Sequence, residues 1–204
     1  MLVIGLTGGI GTGKTEVAEA LRGLGAEVVS ADRLAHELYR RGARAWREIV
    51  DEFGDAVLAP GGEVDRGKLA SIVFRDQAAL ERLNAIVHPR VREAIEERIG
   101  ELWGRGEKAV VVEVPLLMEA VRQDARWTRL IDEIWATDAG KDQVLGRVRA
   151  RDGLDAEAVT VRVNAQMARS ERLAGADVVI DNRRGLRELR ANVRRLWAER
   201  VSVE

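Results

Sequence analysis

The chain has 204 residues and a net charge of −1 at pH 7, with 46% hydrophobic and 33% charged residues. This balance is typical of one soluble domain, or of one core domain with insertions, and gives no reason to expect binding to nucleic acid or to an anionic membrane. The absence of cysteine excludes disulfides and thiol chemistry. No apolar run approaches the ~20 residues of a membrane span and no signal peptide is visible, so we expect a cytoplasmic protein.

The first predicted element is a buried strand over residues 2–6, which a glycine-rich segment follows at once. Residues 8–15 match the phosphate-loop pattern G-x-x-x-x-G-K-S/T, and the order strand, loop, Lys-Thr and helix argues against a chance match. Glycines let N–H groups turn towards a phosphate, and a helix that opens at Lys14 or Thr15 adds its own N–H groups. Lys14 can reach the β- and γ-phosphates, and the Thr15 hydroxyl can bind Mg²⁺. The segment predicts that a nucleoside triphosphate is bound by Gly8, Gly9, Ile10, Gly11, Thr12, Gly13, Lys14 and Thr15.

A helix over residues 15–24 and a second strand over residues 27–30 follow the loop. Strand, loop, helix and strand in this order predict a parallel α/β sheet with a right-handed crossover. Ligands bind at the carboxyl ends of such strands, so we expect Asp32 at the rim of the nucleotide site. Asp32 is either a base for an acceptor hydroxyl or the N-cap of a helix that starts near Leu34; local sequence leaves both interpretations open.

From residue 34 to about residue 104, apolar residues recur at helical spacing. The segment is too long for a bare crossover and has the size of a substrate-binding subdomain. It contains the two histidines of the chain, His36 and His88. Because His88 precedes Pro89, local sequence favours a packing residue at a helix boundary.

Three further strands are predicted over residues 108–114, 131–136 and 177–180. The first of them carries Glu113 and is ended by Pro115. Glu113 can bind Mg²⁺ or its water shell, or it can cap the strand end or pair with an arginine; its position towards the phosphates favours magnesium.

The charged helices between the last two strands predict a mobile cover for the site. Arg147 and Arg151 lie four residues apart, hence on one helix face, where arginines can clamp a transferring phosphoryl group. For any single arginine in so arginine-rich a chain, a solvated helix face is the simpler interpretation. The same holds for the arginines of the last predicted helix, which alternate with acids.

Several short motifs occur together: the phosphate loop, Ala31-Asp32, Val64-Asp65-Arg66, His88-Pro89, Pro115-Leu116-Leu117, and an ending that runs from Gln166 to Ile180-Asp181-Asn182. Many kinases share the phosphate loop, but the combination is specific. In these motifs and their order the chain resembles the dephospho-CoA kinase family over nearly its whole length.

The resemblance implies a three-layer α/β/α P-loop kinase with a five-stranded parallel sheet, a helical CoA-binding insertion and a small helical lid. The core would comprise about residues 1–33, 105–139 and 172–204, the insertion about 34–104 and the lid about 140–171. The implied activity is ATP-dependent phosphorylation of the ribose 3′-hydroxyl of dephospho-CoA, the last step of coenzyme A biosynthesis.

The resemblance also implies roles for individual residues. Asp32 matches the family's proposed base, with Lys14, Arg147 and Arg151 at the transferring phosphoryl group. Residues 11–16, ending at Glu16, match the segment that wraps the ATP phosphates, and Asn182 is expected near the adenine. We expect Thr15 and Glu113 to hold Mg²⁺. The implied acceptor contacts are Asp32, His36, Arg66, His88, Pro115, Leu116 and Leu117.

Some positions depart from the family's pattern. Ser30 stands where the family often has Asp, which removes an auxiliary charge, and the glycine usual soon after Asn182 is displaced to Gly185. Two alternatives are a P-loop kinase for another small acceptor, such as a nucleoside monophosphate or shikimate, and a switch that binds ATP without transfer. His88 and the Pro-Leu-Leu motif argue against the first, and Asp32 with the lid arginines argues against the second. The oligomeric state is open.

Overall fold

The computed structural model describes residues 1–201, which form a five-stranded sheet in the order β2-β3-β1-β4-β5 with helices around it. The strands are β1 (Leu2–Gly8), β2 (Glu27–Ser30), β3 (Ala109–Glu113), β4 (Glu133–Asp138) and β5 (Val178–Asp181). The helices are α1 (Lys14–Gly23), α2 (Ala31–Leu38), α3 (Arg44–Phe53), α4 (Arg66–Val73), α5 (Gln77–Gly104), α6 (Leu117–Gln123), α7 (Lys141–Asp152), α8 (Ala156–Asn164), α9 (Arg169–Ala174) and α10 (Leu186–Arg200).

Helices cover both faces of the sheet at its central strand, β1. Ile4 and Leu6 are fully buried in a cluster with apolar residues of α1 and α10. On the opposite face, a Cβ at Gly5 would come within 2.6 Å of Leu117 in α6 and 2.9 Å of Ile131, so only glycine allows this close approach. β1 pairs in parallel with β3 and β4, and β4 pairs in parallel with β5. The expected three-layer α/β/α architecture with a five-stranded parallel sheet is confirmed.

The chain forms two compact units. The first, the core unit, comprises Met1–Val29 and the chain from Ile99 onward. The second, the helical unit, comprises Ser30–Arg98. Within the helical unit, Arg90 of α5 donates to Glu48 of α3 at 2.7 Å and to Glu93 at 2.8 Å, which ties two helices together. The hydrogen bonds that Arg90 donates to both carboxylates raise the pKa of its guanidinium.

Helix α5 differs from the sequence-based expectation, because it continues through Pro89 without a boundary at His88. Val87, Val91 and Ile95 are buried at four-residue spacing, and hence on one face of the helix. Burial of each contributes about 1.5–3 kcal/mol, which together offsets the ~3 kcal/mol that an interior proline costs. His88 therefore lies inside a helix, and its interpretation as a boundary residue is wrong.

Strand β4 ends two residues later than expected, at Asp138. Its register with β5 pairs Trp135 with Val178 and continues to Asp138 opposite Asp181. This extension places two polar residues, Thr137 and Asp138, at the carboxyl edge of the sheet. Among residues 1–201, no helix combines the length and the apolar character that a membrane crossing requires.

Candidate functional site: a phosphate loop and its supports

The phosphate loop joins the end of β1 to the start of α1, as the motif predicts. Gly11 and Gly13 have φ values of 71° and 100°, in the left-handed region that favours glycine. The Lys14 ammonium folds back over the loop, and its Nζ donates to the carbonyl oxygens of Gly8 at 2.8 Å and Gly9 at 3.3 Å. Gly13 occupies the N-cap of α1 and has no side chain to cap the helix, so its first N–H groups remain available to an anion.

Buried polar side chains support the loop from behind. The Thr12 hydroxyl donates to the Gly9 carbonyl at 2.7 Å and accepts a hydrogen bond from the Thr137 hydroxyl at 2.6 Å. Asn182 Nδ2 donates to the Thr12 carbonyl at 2.9 Å, and a Cβ at Gly13 would lie 2.2 Å from that same nitrogen. Asn182, expected near the adenine, thus holds the loop itself. Its Oδ1 is buried and has no hydrogen-bond partner within the described residues.

An ion-pair cluster at the end of β4 was not predicted from the sequence. Arg169 donates to both carboxylate oxygens of Asp138, at 2.7 and 2.5 Å, and Arg183 donates to Oδ2 at 2.7 Å. Burial alone would raise the pKa of the Asp138 carboxyl, but these hydrogen bonds hold it below its ordinary value. Asp138 was missed because the predicted strand stopped at Ala136, and its partners lie 31 and 45 residues away in the sequence.

A cavity of about 510 Å³ lies beside the loop. Gly9, Ile10 and Thr12 line one side of it, and Asp138, Gln166, Met167, Arg169 and Arg172 are among its other lining residues. A volume of this size is that of a small-molecule pocket. The cavity and the loop together can hold a polyanionic ligand.

Two side chains of the segment expected to form the lid hydrogen-bond to the loop. Gln166 Oε1 accepts a hydrogen bond from the Ile10 backbone at 2.8 Å. Arg147 donates to the carbonyl oxygens of Gly11 at 3.3 Å and Asn182 at 3.2 Å. Arg151, expected to act with Arg147, instead donates to its neighbour Asp152 at 2.6 Å on an exposed part of α7 and is absent from the cavity lining in the described chain.

The residues expected to act on the acceptor lie mostly in the helical unit, and their side chains are exposed. Asp32 is the second residue of α2, whose N-cap is Ser30, so the N-cap interpretation of Asp32 is wrong. No hydrogen bond or ion pair engages the Asp32 carboxylate within residues 1–201. His36 lies one turn further along the same helix.

Two further expected acceptor contacts belong to α4 and α5. Arg66 is the first residue of α4, and its guanidinium lies 5.9 Å from the centre of the Tyr39 ring. Burial raises the pKa of the Tyr39 hydroxyl, and Arg66 opposes that shift. His88 is exposed on α5, yet desolvation by surrounding protein atoms lowers the pKa of its imidazole.

The Pro-Leu-Leu motif divides into residues with different surroundings. Leu117 is fully buried and packs against β1 at Gly5. Its side chain therefore belongs to the core, which corrects the expectation that it contacts an acceptor. Leu116 is 47% exposed, and the Pro115 carbonyl accepts a hydrogen bond from the Thr7 hydroxyl at 3.2 Å. Of the two leucines, only Leu116 has an exposed side chain.

The two expected magnesium ligands lie on different elements: Thr15 on α1, the helix after β1, and Glu113 on β3, the strand that pairs with β1. Thr15 is exposed in the first turn of α1, and half-buried Glu113 ends β3 opposite Leu6 of β1. Among residues 1–201 no group of three or more His, Asp or Glu side chains forms a metal cage. This donor set nevertheless fits Mg²⁺, which keeps several waters and binds through one or two protein ligands plus phosphates.

Comparisons with known proteins agree with this geometry. A family model described as dephospho-CoA kinase matches residues 2–188. The chain is 42% identical over 200 residues to the dephospho-CoA kinase of Geobacter sulfurreducens (98% of this chain, 99% of the relative). It is 44% identical over 199 residues to that of Thermobifida fusca (98% of this chain, 96% of the relative).

Solved structures extend the comparison. Dephospho-CoA kinase from Campylobacter jejuni superposes with a TM-score of 0.74 at 28% identity, covering 98% of this chain and 97% of that one. TT1252 from Thermus thermophilus superposes with a TM-score of 0.80 at 35% identity, with the same coverage. A shikimate kinase from Bacteroides thetaiotaomicron, with a TM-score of 0.54 and 17% identity over 97% of each chain, shares the fold alone.

Proposed function

This chain belongs to the dephospho-CoA kinase family, and we propose that it transfers the γ-phosphoryl group of ATP to the ribose 3′-hydroxyl of dephospho-CoA, which gives coenzyme A and ADP. The observation that carries the proposal is the match over residues 2–188 together with a phosphate loop whose lysine folds over Gly8 and Gly9. Membership of the family indicates which acceptor is phosphorylated, and the loop is the expected binding site of the phosphoryl donor, ATP.

The transfer breaks the bond between the γ-phosphorus and the bridging oxygen to the β-phosphate and forms a bond to the 3′-oxygen. The electron pair of the broken bond stays with ADP. Asp32 takes the proton of the 3′-hydroxyl, a role supported by a carboxylate that has no competing partner among residues 1–201. Lys14 and the loop N–H groups hold the phosphates, so most of the catalysis is positioning and electrostatic stabilisation.

Other residues would bind the ligands without taking part in the bond changes. Thr15 and Glu113 would hold Mg²⁺, which neutralises phosphate charge when it is bound. His36, Arg66, His88, Pro115 and Leu116 would contact dephospho-CoA, and Asn182 would lie near the adenine. Arg147 would link the lid segment to the loop. A cytoplasmic location, without nucleic-acid or membrane partners, follows from composition and stays a prediction.

The proposal is tested by coupled ADP production with ATP and Mg²⁺, with and without dephospho-CoA, beside AMP and shikimate as competing acceptors. We expect turnover with dephospho-CoA alone and a product that carries a 3′-phosphate. Turnover with AMP or shikimate would establish a kinase for another acceptor. ATP binding without turnover on any acceptor would instead favour the switch that binds ATP without transferring it.

A further inference from the structure

Arg172 is a buried cation that the motifs did not single out. It lies on α9, is only 8% exposed, and lines the cavity beside the phosphate loop. One of its nitrogens, Nη1, donates to the Met167 carbonyl at 3.0 Å, whereas Nε is buried and has no hydrogen-bond partner within the described residues. Within residues 1–201 no carboxylate lies at ion-pair distance from this guanidinium.

The two acidic residues whose charges act on Arg172, Asp138 and Glu119, already accept hydrogen bonds from other donors. Asp138 accepts from Arg169 and Arg183, and Glu119 accepts from the Met167 backbone at 3.0 Å. Burial lowers the pKa of the Arg172 guanidinium, and the charges of Glu119 and Asp138 offset part of that effect. Burying an unpaired charge costs several kcal/mol, so the fold keeps at this point a cation that stability alone does not require.

The guanidinium lies directly on the phosphate loop. A Cβ added to Gly9 would come within 2.8 Å of Arg172 Nη2 and 3.3 Å of its Cζ, so the guanidinium lies close to the loop backbone at residue 9. Lys14 Nζ donates to the carbonyls of Gly8 and Gly9. Two cations therefore converge on the strand end of the loop.

Neighbouring arginines of the same region are already engaged. Arg147 donates to the carbonyls of Gly11 and Asn182, Arg151 donates to Asp152, and Arg169 donates to Asp138. Of these arginines and Arg172, only Arg172 has a buried nitrogen without a partner in the described chain. Arg172 thus lines the cavity with a guanidinium that the described chain leaves only partly hydrogen-bonded.

The position along the loop indicates which phosphate is contacted. In a phosphate loop the backbone N–H groups near the helix N-terminus hold the α- and β-phosphates, while the lysine reaches the β- and γ-phosphates. Arg172 lies at the opposite, Gly9 end of the loop, beside Lys14.

We propose that Arg172 contacts the γ-phosphoryl group of ATP and stabilises its charge during transfer, the role expected of Arg147 and Arg151. This inference rests on the proposed kinase activity. Arg172 takes no part in bond breaking or bond formation. The phosphoryl group leaves ADP and joins the acceptor oxygen, while the guanidinium donates hydrogen bonds to the non-bridging oxygens of the phosphoryl group.

The test compares Arg172→Met and Arg172→Lys with Arg122→Gln. Arg122 is an exposed residue of α6 that pairs with Glu171 of α9 at 3.5 Å, so its replacement perturbs the same helix from outside the cavity. Turnover with ATP, Mg²⁺ and dephospho-CoA gives kcat and both KM values. Affinities for ATP and for ADP are measured without acceptor, and Tm is measured without ligands.

We expect Arg172→Met to lower kcat by about 10²–10³-fold, with partial recovery in Arg172→Lys and wild-type kinetics in Arg122→Gln. Arg172→Met should lose the preference for ATP over ADP that a γ-phosphate contact creates. Its Tm should equal or exceed that of the wild type, because an unpaired buried charge has been removed.

Two results would overturn the inference: Arg172→Met with kcat within about threefold of the wild type, or a lower Tm with an unchanged ratio of ATP to ADP affinity, which is the signature of a structural role. If the wild-type protein does not phosphorylate dephospho-CoA, the proposed function is wrong, but the inference about Arg172 is still testable. The ratio of ATP to ADP affinity in wild type and Arg172→Met still decides on the contact, since that measurement needs no acceptor.

Discussion

The residues that surround the phosphate loop differ in burial and hydrogen bonding from the residues expected to act on the acceptor. Thr12, Thr137, Asp138 and Asn182 are buried and bound to one another or to the loop. Asp32, His36, Arg66 and His88 are exposed on helices of the helical unit. A phosphate site needs donors that are fixed before the anion arrives, and this rigidity is built into the core. The residues expected to contact the acceptor substrate are not needed to hold the loop in place.

This contrast has a consequence for mutagenesis. Substitutions that disturb the hydrogen bonds holding the loop should change the free energy of unfolding and the activity together, because the same hydrogen bonds serve both. Substitutions among the exposed acceptor residues should change activity and leave stability as it was. Surface substitutions ordinarily shift stability by no more than about 0.5 kcal/mol.

The largest separation of activity from stability is expected for Asp32→Asn. Loss of a general base should lower kcat by about 10²–10⁴-fold. Tm should stay unchanged, because the carboxylate is exposed and makes no hydrogen bond or ion pair within residues 1–201. Steady-state kinetics and thermal unfolding measure the two quantities on the same preparation.

Glu37→Gln is the matched control for Asp32→Asn, because Glu37 is an exposed carboxylate on the same helix, α2. It should leave both kcat and Tm unchanged. An Asp32→Asn protein with full turnover would remove Asp32 from the reaction, and one with a markedly lower Tm would break the contrast between the two groups of residues.

Gly13→Ala should affect stability and nucleotide binding together. The new Cβ would lie 2.2 Å from Asn182 Nδ2, and residue 13 has a φ of 100°. Gly25 has a φ of 101° with nothing within 4 Å of its Cβ position, so Gly25→Ala carries the backbone strain alone, about 1–2 kcal/mol. Gly13→Ala should cost about 1–3 kcal/mol more, the usual range for overpacking, and should weaken ATP binding.

Urea unfolding of both variants, with ATP titration, isolates the contribution of the Asn182 contact. Equal losses of unfolding free energy in Gly13→Ala and Gly25→Ala would mean that the Asn182 side chain moves away from the new Cβ without a loss of stability. The loop would then be less rigid than its hydrogen bonds indicate.

Asp138→Asn tests the ion-pair cluster through its pH dependence. Breaking a buried pair costs about 3–5 kcal/mol, and we expect about 1–3 kcal/mol because Arg169 and Arg183 are roughly half exposed. The pKa of Asp138 is lowered in the folded state, so its contribution is present above the unfolded-state pKa of about 3.9 and is lost as pH falls through the lower folded value.

The difference in unfolding free energy between wild type and Asp138→Asn should therefore stay constant from about pH 8 to pH 5 and shrink below about pH 4. Urea unfolding across this range measures it. A difference that instead grows on acidification would mean that the carboxyl group is bound in its protonated form.

The parts of the site that were predictable from the sequence are the parts made by neighbours in the chain. Eight consecutive residues define the phosphate loop, and α1 begins at Lys14 as expected. Asp138 and Arg172 were not found, because their partners come from distant segments and an arginine-rich sequence does not distinguish a buried arginine from a solvated one. The helical periodicity around His88 was visible, but the preference of Pro89 for a boundary was overruled by packing of Val87 and Val91.

The smallest effect is expected for Arg66→Gln. The Arg66 guanidinium is exposed and stacks near Tyr39, so a contact with a phosphate of dephospho-CoA would be worth about as much as a surface ion pair, at most about 1 kcal/mol. This corresponds to a KM for dephospho-CoA raised by about three- to fivefold, with the KM for ATP and Tm unchanged. Arg75→Gln, which removes another exposed arginine of the helical unit, should change none of these values. If Arg66→Gln lowers Tm and leaves the KM for dephospho-CoA as it was, the stacking on Tyr39 is structural, and Arg66 belongs with the residues that hold the fold.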